Sequence, residues 1–261
     1  MWSFRVWRQR RWLARHPLDP ALWQQVVAAL PLLHGLTEAQ LHCLAQRSLL
    51  FLRDKRLSCV GDLPLDDYQR LRLAAQAQLP LLALDDLDWY QGFHEIILYA
   101  DDFLSPQRYR DSMGVEHQWD DARSGEAWLQ GPVILAWPGV QESGQWHGYN
   151  LIIHELAHKL DMLNGDVNGL PPLHADMRLE DWSHSLQTAF DDLNAQLDAD
   201  PAADTLIDPY AASCPGEFFA VCSEYFFSAP DLLLQAYPQV YRQLRLFYRQ
   251  DPLQRLPATS I

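Results

Sequence analysis

Apolar residues recur at helical spacing through much of this chain. Ile152, Leu156, Leu160 and Leu163 stand at i, i+4, i+8 and i+11, which places them on one stripe of a helix. Asn150 in front is a good N-cap, and Asn164-Gly165 behind is a stop signal. The segment therefore predicts a helix of about 14 residues. Asp181 to Leu197 carries Trp182, Leu186, Phe190, Leu193 and Leu197 at 4-4-3-4 spacing and reads as a long helix. Residues 19–48 and 65–79 read as helices too, with breaks at Pro31 and Gly35. Asp198 to Asp208 reads as a loop, and Asp231 to Tyr248 as mostly helical with a break at Pro238.

Two stretches have strand character instead. Val133-Ile134-Leu135-Ala136-Trp137 is a short apolar run held between Gly131-Pro132 and Pro138-Gly139. Phe93 to Tyr99 looks like another strand of the same sheet. Between them, Asp101 to Gln130 is rich in Asp, Arg, Ser and Trp and reads as an irregular excursion or hairpin. The sum is an α+β protein. A helical part is expected over residues 1–85, then a core over 86–261 with a small mixed sheet, a central helix and a closing C-terminal helix.

The central helix carries chemistry. His154-Glu155-Leu156-Ala157-His158 puts two imidazoles four residues apart, on one face and one turn from each other. Both can bind one tetrahedral zinc ion, with Glu155 within reach of its water. A catalytic zinc usually has three protein ligands, so a third must come from elsewhere. Asp161 shares the histidine stripe, but a rigid helix places three successive-turn ligands poorly around one ion. It suits a supporting part better, orienting a histidine N–H or pinning a loop. Glu180 is one candidate ligand. Glu217 is the stronger one: Pro215 suits the first turn of a helix, so Glu217 projects from that turn. Phe218, Val221, Cys222 and Tyr225 would bury the helix's other side. A carboxylate among so many aromatics needs a partner. The plain alternative is a first-turn Glu that favours the helix dipole.

At this point the sequence resembles a known family, the Mlc titration factor A family of bacterial zinc metallopeptidases. The resemblance rests on Gly131 to Trp137, on Gly148 to Asp161, on Asp166, Gly169 and Pro171-Pro172, on Tyr210 to Val221, and on Ser223 to Phe227. Phe51-Leu52 and Leu71 to Ala77 look similar as well. The resemblance implies a zincin fold, related to the catalytic domain of anthrax lethal factor. It implies one zinc held by His154, His158 and Glu217, Glu155 as general base, and Tyr210, seven residues before Glu217, as a catalytic helper. It also implies aminopeptidase-type hydrolysis of peptides and binding of Mlc, a glucose-regulon transcription repressor. A chain used mainly to bind the repressor, with little proteolysis, is the other implied function. Glu224 and Asp161 are carried over as supporting residues. In zincin folds a strand before the active-site helix pairs with extended substrate, so Val133, Ile134 and Leu135 are expected to wall the cleft; a core strand with no part in substrate binding is the alternative. One departure stands out: the family commonly has Asn-Pro where this chain has Cys214-Pro215, and cysteine is the poorer N-cap.

Composition narrows the rest. With 48% hydrophobic residues in 261, the chain can build a substantial core. No apolar run approaches the roughly 18 residues of a membrane span. A net charge of −14 argues against general nucleic-acid binding, which needs a basic footprint. The local exception is the start, where Arg5, Arg8, Arg10, Arg11 and Arg15 alternate with Trp2, Trp7 and Trp12. This cluster fits an acidic partner or the protein's own acidic body better than a membrane. It lacks the apolar core and cleavage site of a secretory signal. The four cysteines form no CxxC pair and read as reduced thiols, which places the chain in the cytoplasm. The many Asp of 181–208 read as a solvated face.

Overall fold

The computed structural model describes residues 4–63, 65–84, 88–101, 103–110, 116–123, 125–127 and 131–257. The expected boundary at residue 85, and Trp2 of the basic start, lie outside these residues.

Helix α1 (Phe4–Leu13) buries no residue of its own and rests on α3. Helix α2 (Pro20–Ala29) begins with Asp19 accepting from the Ala21 N–H. Helix α3 (Glu38–Asp54) opens with a reciprocal cap between Thr37 and Gln40. The breaks at Pro31 and Gly35 fall between α2 and α3, but α3 runs on to Asp54. Helix α4 (Asp67–Gln78) is buried throughout Leu71–Gln78 and packs against α2, α3 and α6.

The sheet is small and mixed. Strands β1 (Arg56–Val60) and β2 (Glu95–Tyr99) are parallel, and β2 is parallel to β6 (Val133–Ala136). The short β5 (Gly125–Ala127) runs antiparallel along the far side of β6, giving the order β1-β2-β6-β5. Between β2 and β5, β3 (Phe103–Arg110) and β4 (Glu116–Arg123) pair as a separate antiparallel ladder, so the Asp101–Gln130 excursion is in part a hairpin. The sequence pattern missed β1, whose polar-rich Arg56-Leu57-Ser58-Cys59-Val60 pairs with a strand far along the chain.

After β6 come the short α5 (Trp137–Glu142), then α6 (Leu151–Asp161), α7 (Leu179–Ala199), α8 (Pro215–Ser228), α9 (Pro230–Ala236) and α10 (Pro238–Tyr248). Helix α6 continues as a 3-10 turn over Met162–Asn164, with Gly165 in the left-handed conformation that ends it. All eleven residues of α6 are buried, between α4, the sheet and α8. Ile152, Leu156 and Leu160 face the core at 1% exposure or less, while Leu163 lies beyond the helix and is exposed. An aromatic layer of Trp182, Phe218, Phe219, Phe226, Phe227, Phe247 and Tyr248 locks α7, α8 and α10 together. Aromatic pairs of this kind add about 0.5–1.5 kcal/mol each beyond burial, so α8 has a stiff support. No helix among the described residues is long and apolar enough to cross a membrane.

Candidate metal centre

Helix α6 starts in a fully satisfied network. The Asn150 side chain accepts from the Ile153 N–H at 3.0 Å, and its amide donates to Gln76 Oε1 of α4 at 2.9 Å. Ser143 Oγ accepts from the Leu151 N–H at 3.0 Å. Arg72 of α4 donates to the carbonyls of Val140, Gln141 and Ser143, which fixes the end of α5. The first turn of α6 therefore cannot drift, and His154 and His158 are set by it.

Helix α8 brings the opposing carboxylates. Pro215 opens it, and Glu217 projects from the first turn. Glu224, seven residues on, lies on the same face and is buried at 6% exposure. One Glu224 oxygen accepts from His154 Nδ1–H at 2.5 Å, and the other from the Asn150 N–H at 2.8 Å. One side chain thus orients an imidazole and closes the start of α6. With its proton on Nδ1, His154 presents the lone pair of Nε2 to the cleft.

Three acceptor atoms then converge. His154 Nε2, His158 Nε2 and Glu217 Oε2 lie 3.1 to 3.2 Å apart in a near-equilateral triangle. They form a group that could hold a metal ion. Donors about 2.0–2.1 Å from a tetrahedral ion lie roughly 3.3 Å apart, so the triangle has the required size. Facing one point, the three groups need either shared protons or a cation between them. Without an ion, shared protons hold the same three groups together, and the protonation tendencies show it. Burial alone would lower the His154 pKa, but the Glu224 carboxylate and the hydrogen bonds to Glu217 and Glu224 hold it well above the usual histidine value. Burial favours the neutral acid at Glu217, but the hydrogen bonds from His154 and His158 outweigh it and push its pKa far down. The donor set of two imidazoles and a carboxylate suits a borderline divalent ion.

Glu155 stands beside this triangle, 4% exposed, and its Oε2 has no hydrogen-bond partner among the described residues. Burial raises its pKa, offset in part by His154 and His158. Strand β5 presses against it. A Cβ built on Gly125 would overlap Glu155 Oε1 and come within 2.7 Å of Leu151. Only glycine lets the backbone pass this close. Gly125 was missed in the sequence, where a lone glycine in a polar stretch carries little signal.

Tyr210 sits on a 3-10 turn, Pro209–Ala212, whose start is capped by Asp208. The residue is 46% exposed, and its ring lies 6.1 Å, centre to centre, from the His154 ring. Asp161 accepts from the Gly169 N–H at 2.7 Å, pinning the loop after α6. Its other oxygen and His158 Nδ1 are buried without a partner among the described residues. Burial raises the Asp161 pKa to about 6, against the hydrogen bond from Gly169. Glu180 is elsewhere, on the surface at the start of α7, paired with Arg178 at 2.8 Å. Cys214 provides no side-chain cap to α8, and its thiol is outside the converging group.

The expectation for Val133, Ile134 and Leu135 needs correction. Both edges of β6 are hydrogen bonded, to β2 and to β5, so its backbone is closed to a further strand. Val133 and Leu135 point into the core. Among the described residues, the sheet edge beside the candidate metal group is β5.

Residues 4–249 match the family described as glucose-regulated metallo-peptidase M90. The chain belongs to that family. It is 41% identical over 247 residues to the Mlc titration factor A of Cronobacter sakazakii, covering 94% of this chain and 92% of that protein. It is likewise 41% identical over 241 residues to that of Escherichia coli, covering 91% and 89%, and 39% identical over 233 residues to that of Klebsiella pneumoniae, covering 89% and 87%. As an M90 metallopeptidase-like protein the chain is expected to bind a metal, and the His154, His158 and Glu217 group is where its fold provides for one.

Proposed function

We propose that this chain is a zinc-dependent peptidase of aminopeptidase type, and that it also binds a repressor like Mlc. The observation that carries the first part is the convergence of His154, His158 and Glu217 beside a buried Glu155, whose Oε2 has no hydrogen-bond partner among the described residues. Two imidazoles and one carboxylate at tetrahedral spacing are a zinc donor set that leaves one position open. Zinc, when bound, supplies Lewis acidity that acidifies water and polarises a carbonyl.

The remaining work belongs to the side chains. Glu155, its pKa raised by burial, takes a proton from the attacking water and returns it to the leaving amine. Tyr210 beside His154 donates its O–H to charge developing on the substrate oxygen, or to the leaving nitrogen. Glu224 keeps the His154 proton on Nδ1 throughout. An extended peptide adds to the sheet along β5, so the cleft strand is Gly125–Ala127.

The test is metal content and peptide hydrolysis, side by side, on the parent chain and its Glu155→Gln variant. One zinc per chain in both, with cleavage by the parent alone, is the expected result. Tyr210→Phe is expected to keep zinc and lose on the order of 100-fold in turnover. Absence of zinc from the parent would overturn the ligand set.

The second part rests on the relatives, which are named as titration factors of Mlc. Binding of a purified Mlc-type repressor to the parent and to Glu155→Gln, measured by calorimetry, tests it. Repressor binding without cleavage of free-amino or blocked peptides would make the chain mainly a regulatory binder.

A further inference from the structure

Two buried polar atoms at the end of α6 are left over, and they are of opposite kinds. Asp161 is fully buried, and one of its oxygens accepts from the Gly169 N–H at 2.7 Å. The other oxygen, Oδ1, has no hydrogen-bond partner among the described residues. Neither has Nδ1 of His158, which is buried three positions earlier on the same helix. Buried donors and acceptors nearly always find partners. Residues three apart share a helix face, so this acceptor and this donor are neighbours.

The surroundings support a pairing between them. Burial raises the Asp161 pKa to about 6, and His158 is among the groups that act on the carboxylate in the other direction. Tyr248 is also near Asp161, but it gives its O–H to Ser223 Oγ at 2.9 Å. A metal on His158 Nε2 leaves the ring's proton on Nδ1. The terminal torsions of His and Asp have broad minima, so small turns bring that N–H to the carboxylate.

The other oxygen of Asp161 reaches towards α8. Gly169, held by Asp161, gives its own carbonyl to Trp182 Nε1 at 3.0 Å. It also lies against the Pro215 carbonyl, so closely that a Cβ on Gly169 would stand 2.5 Å from it. Pro215 opens the helical turn that carries Glu217. Asp161 therefore stands between His158 on α6 and the backbone that sets Glu217 on α8.

We propose that Asp161 is a positioning residue for the candidate metal group, accepting the His158 Nδ1–H with one oxygen while the other fixes Gly169 against α8. One carboxylate then sets two of the three ligands against each other, as Glu224 sets the third. The proposal rests on the metal reading above and adds to it the residue that fixes the ligand spacing.

Two measurements on the full chain test it: zinc affinity by competition with a chromophoric chelator, and the imidazole N–H resonances of the zinc-loaded protein with isotope-labelled histidine. In the parent, the His158 Nδ1–H is expected as a downfield, slowly exchanging proton beside that of His154. Asp161→Asn keeps an acceptor for Gly169 but turns an amide donor on His158. It should keep the denaturant midpoint of the metal-free parent, weaken zinc about 10–100-fold and lose the His158 resonance alone. Asp161→Ala cuts both arms and should lower the midpoint as well. A role in folding alone would leave the zinc affinity of Asp161→Asn equal to the parent's, and that result overturns the proposal. A freely exchanging His158 N–H in the zinc-loaded parent overturns it too, without any variant. A parent that takes up no zinc fails the ligand set itself, and this proposal with it.

Discussion

Helices α6 and α8 both deliver side chains of the candidate metal group to one point, but their first turns are held in different ways. At α6, hydrogen bonds do the holding: Asn150, Ser143 and Glu224 answer the exposed N–H groups, and Gln76 fixes Asn150 in turn. At α8, Cys214 caps nothing. Its first turn is held by Pro215 and by contact, with Gly169 against the Pro215 carbonyl and Val167 against Gly216. A Cβ on Gly169 would stand 2.5 Å from that carbonyl, and its φ of +75° already disfavours other residues. The Gly169 N–H is taken by Asp161 and its carbonyl by Trp182. One end of the site is thus wired by polar groups and the other wedged by shape. The lesson is that a ligand can be positioned without a cap if the surrounding backbone leaves it no room.

This contrast can be broken from either side. The largest effect is expected at the wired end. Glu224→Gln removes the charge that fixes the His154 tautomer and should weaken metal binding about 10–100-fold, read by competition with a chromophoric chelator. Metal affinity unchanged from the parent would show that packing alone aims His154. The wedge comes next. Gly169→Ala should destabilise the fold by about 1–3 kcal/mol in denaturant titration, because a side chain must fit both a positive φ and a closed space. An unaltered midpoint would mean the loop yields. The smallest effect sharpens the contrast. Cys214→Asn supplies the missing cap and should stabilise the chain by about 1 kcal/mol with metal binding unchanged. No gain would mean that the wedge leaves the cap nothing to add.

How much of this could be read from the sequence follows the range of the interactions involved. Helix α6 and its Asn150 cap are local features, written in spacing and in one residue type. Glu217 was marked by Pro215 two residues before it. Glu224 had a signal as well, since a carboxylate seven residues on shares the face of Glu217 and needs a partner when buried. Strand β1 was hidden because its pairing with β2 is non-local and its residues are half polar. The closing of β6 by β5 was hidden for a similar reason: β5 is three residues long and has no pattern of its own. The sequence therefore indicated which residues carry chemistry better than it indicated which backbone borders them.

The candidate metal group joins residues far apart in the chain. His154 and Glu217 are 63 positions from each other and meet only in the folded state. An ion held between them is a reversible cross-link, closing a long loop that the unfolded chain leaves open. By mass action, free metal at 1,000 times its dissociation constant adds about 4 kcal/mol to stability. The melting temperature of this protein would then follow the free metal level around it, and a chelator would act on it as a denaturant.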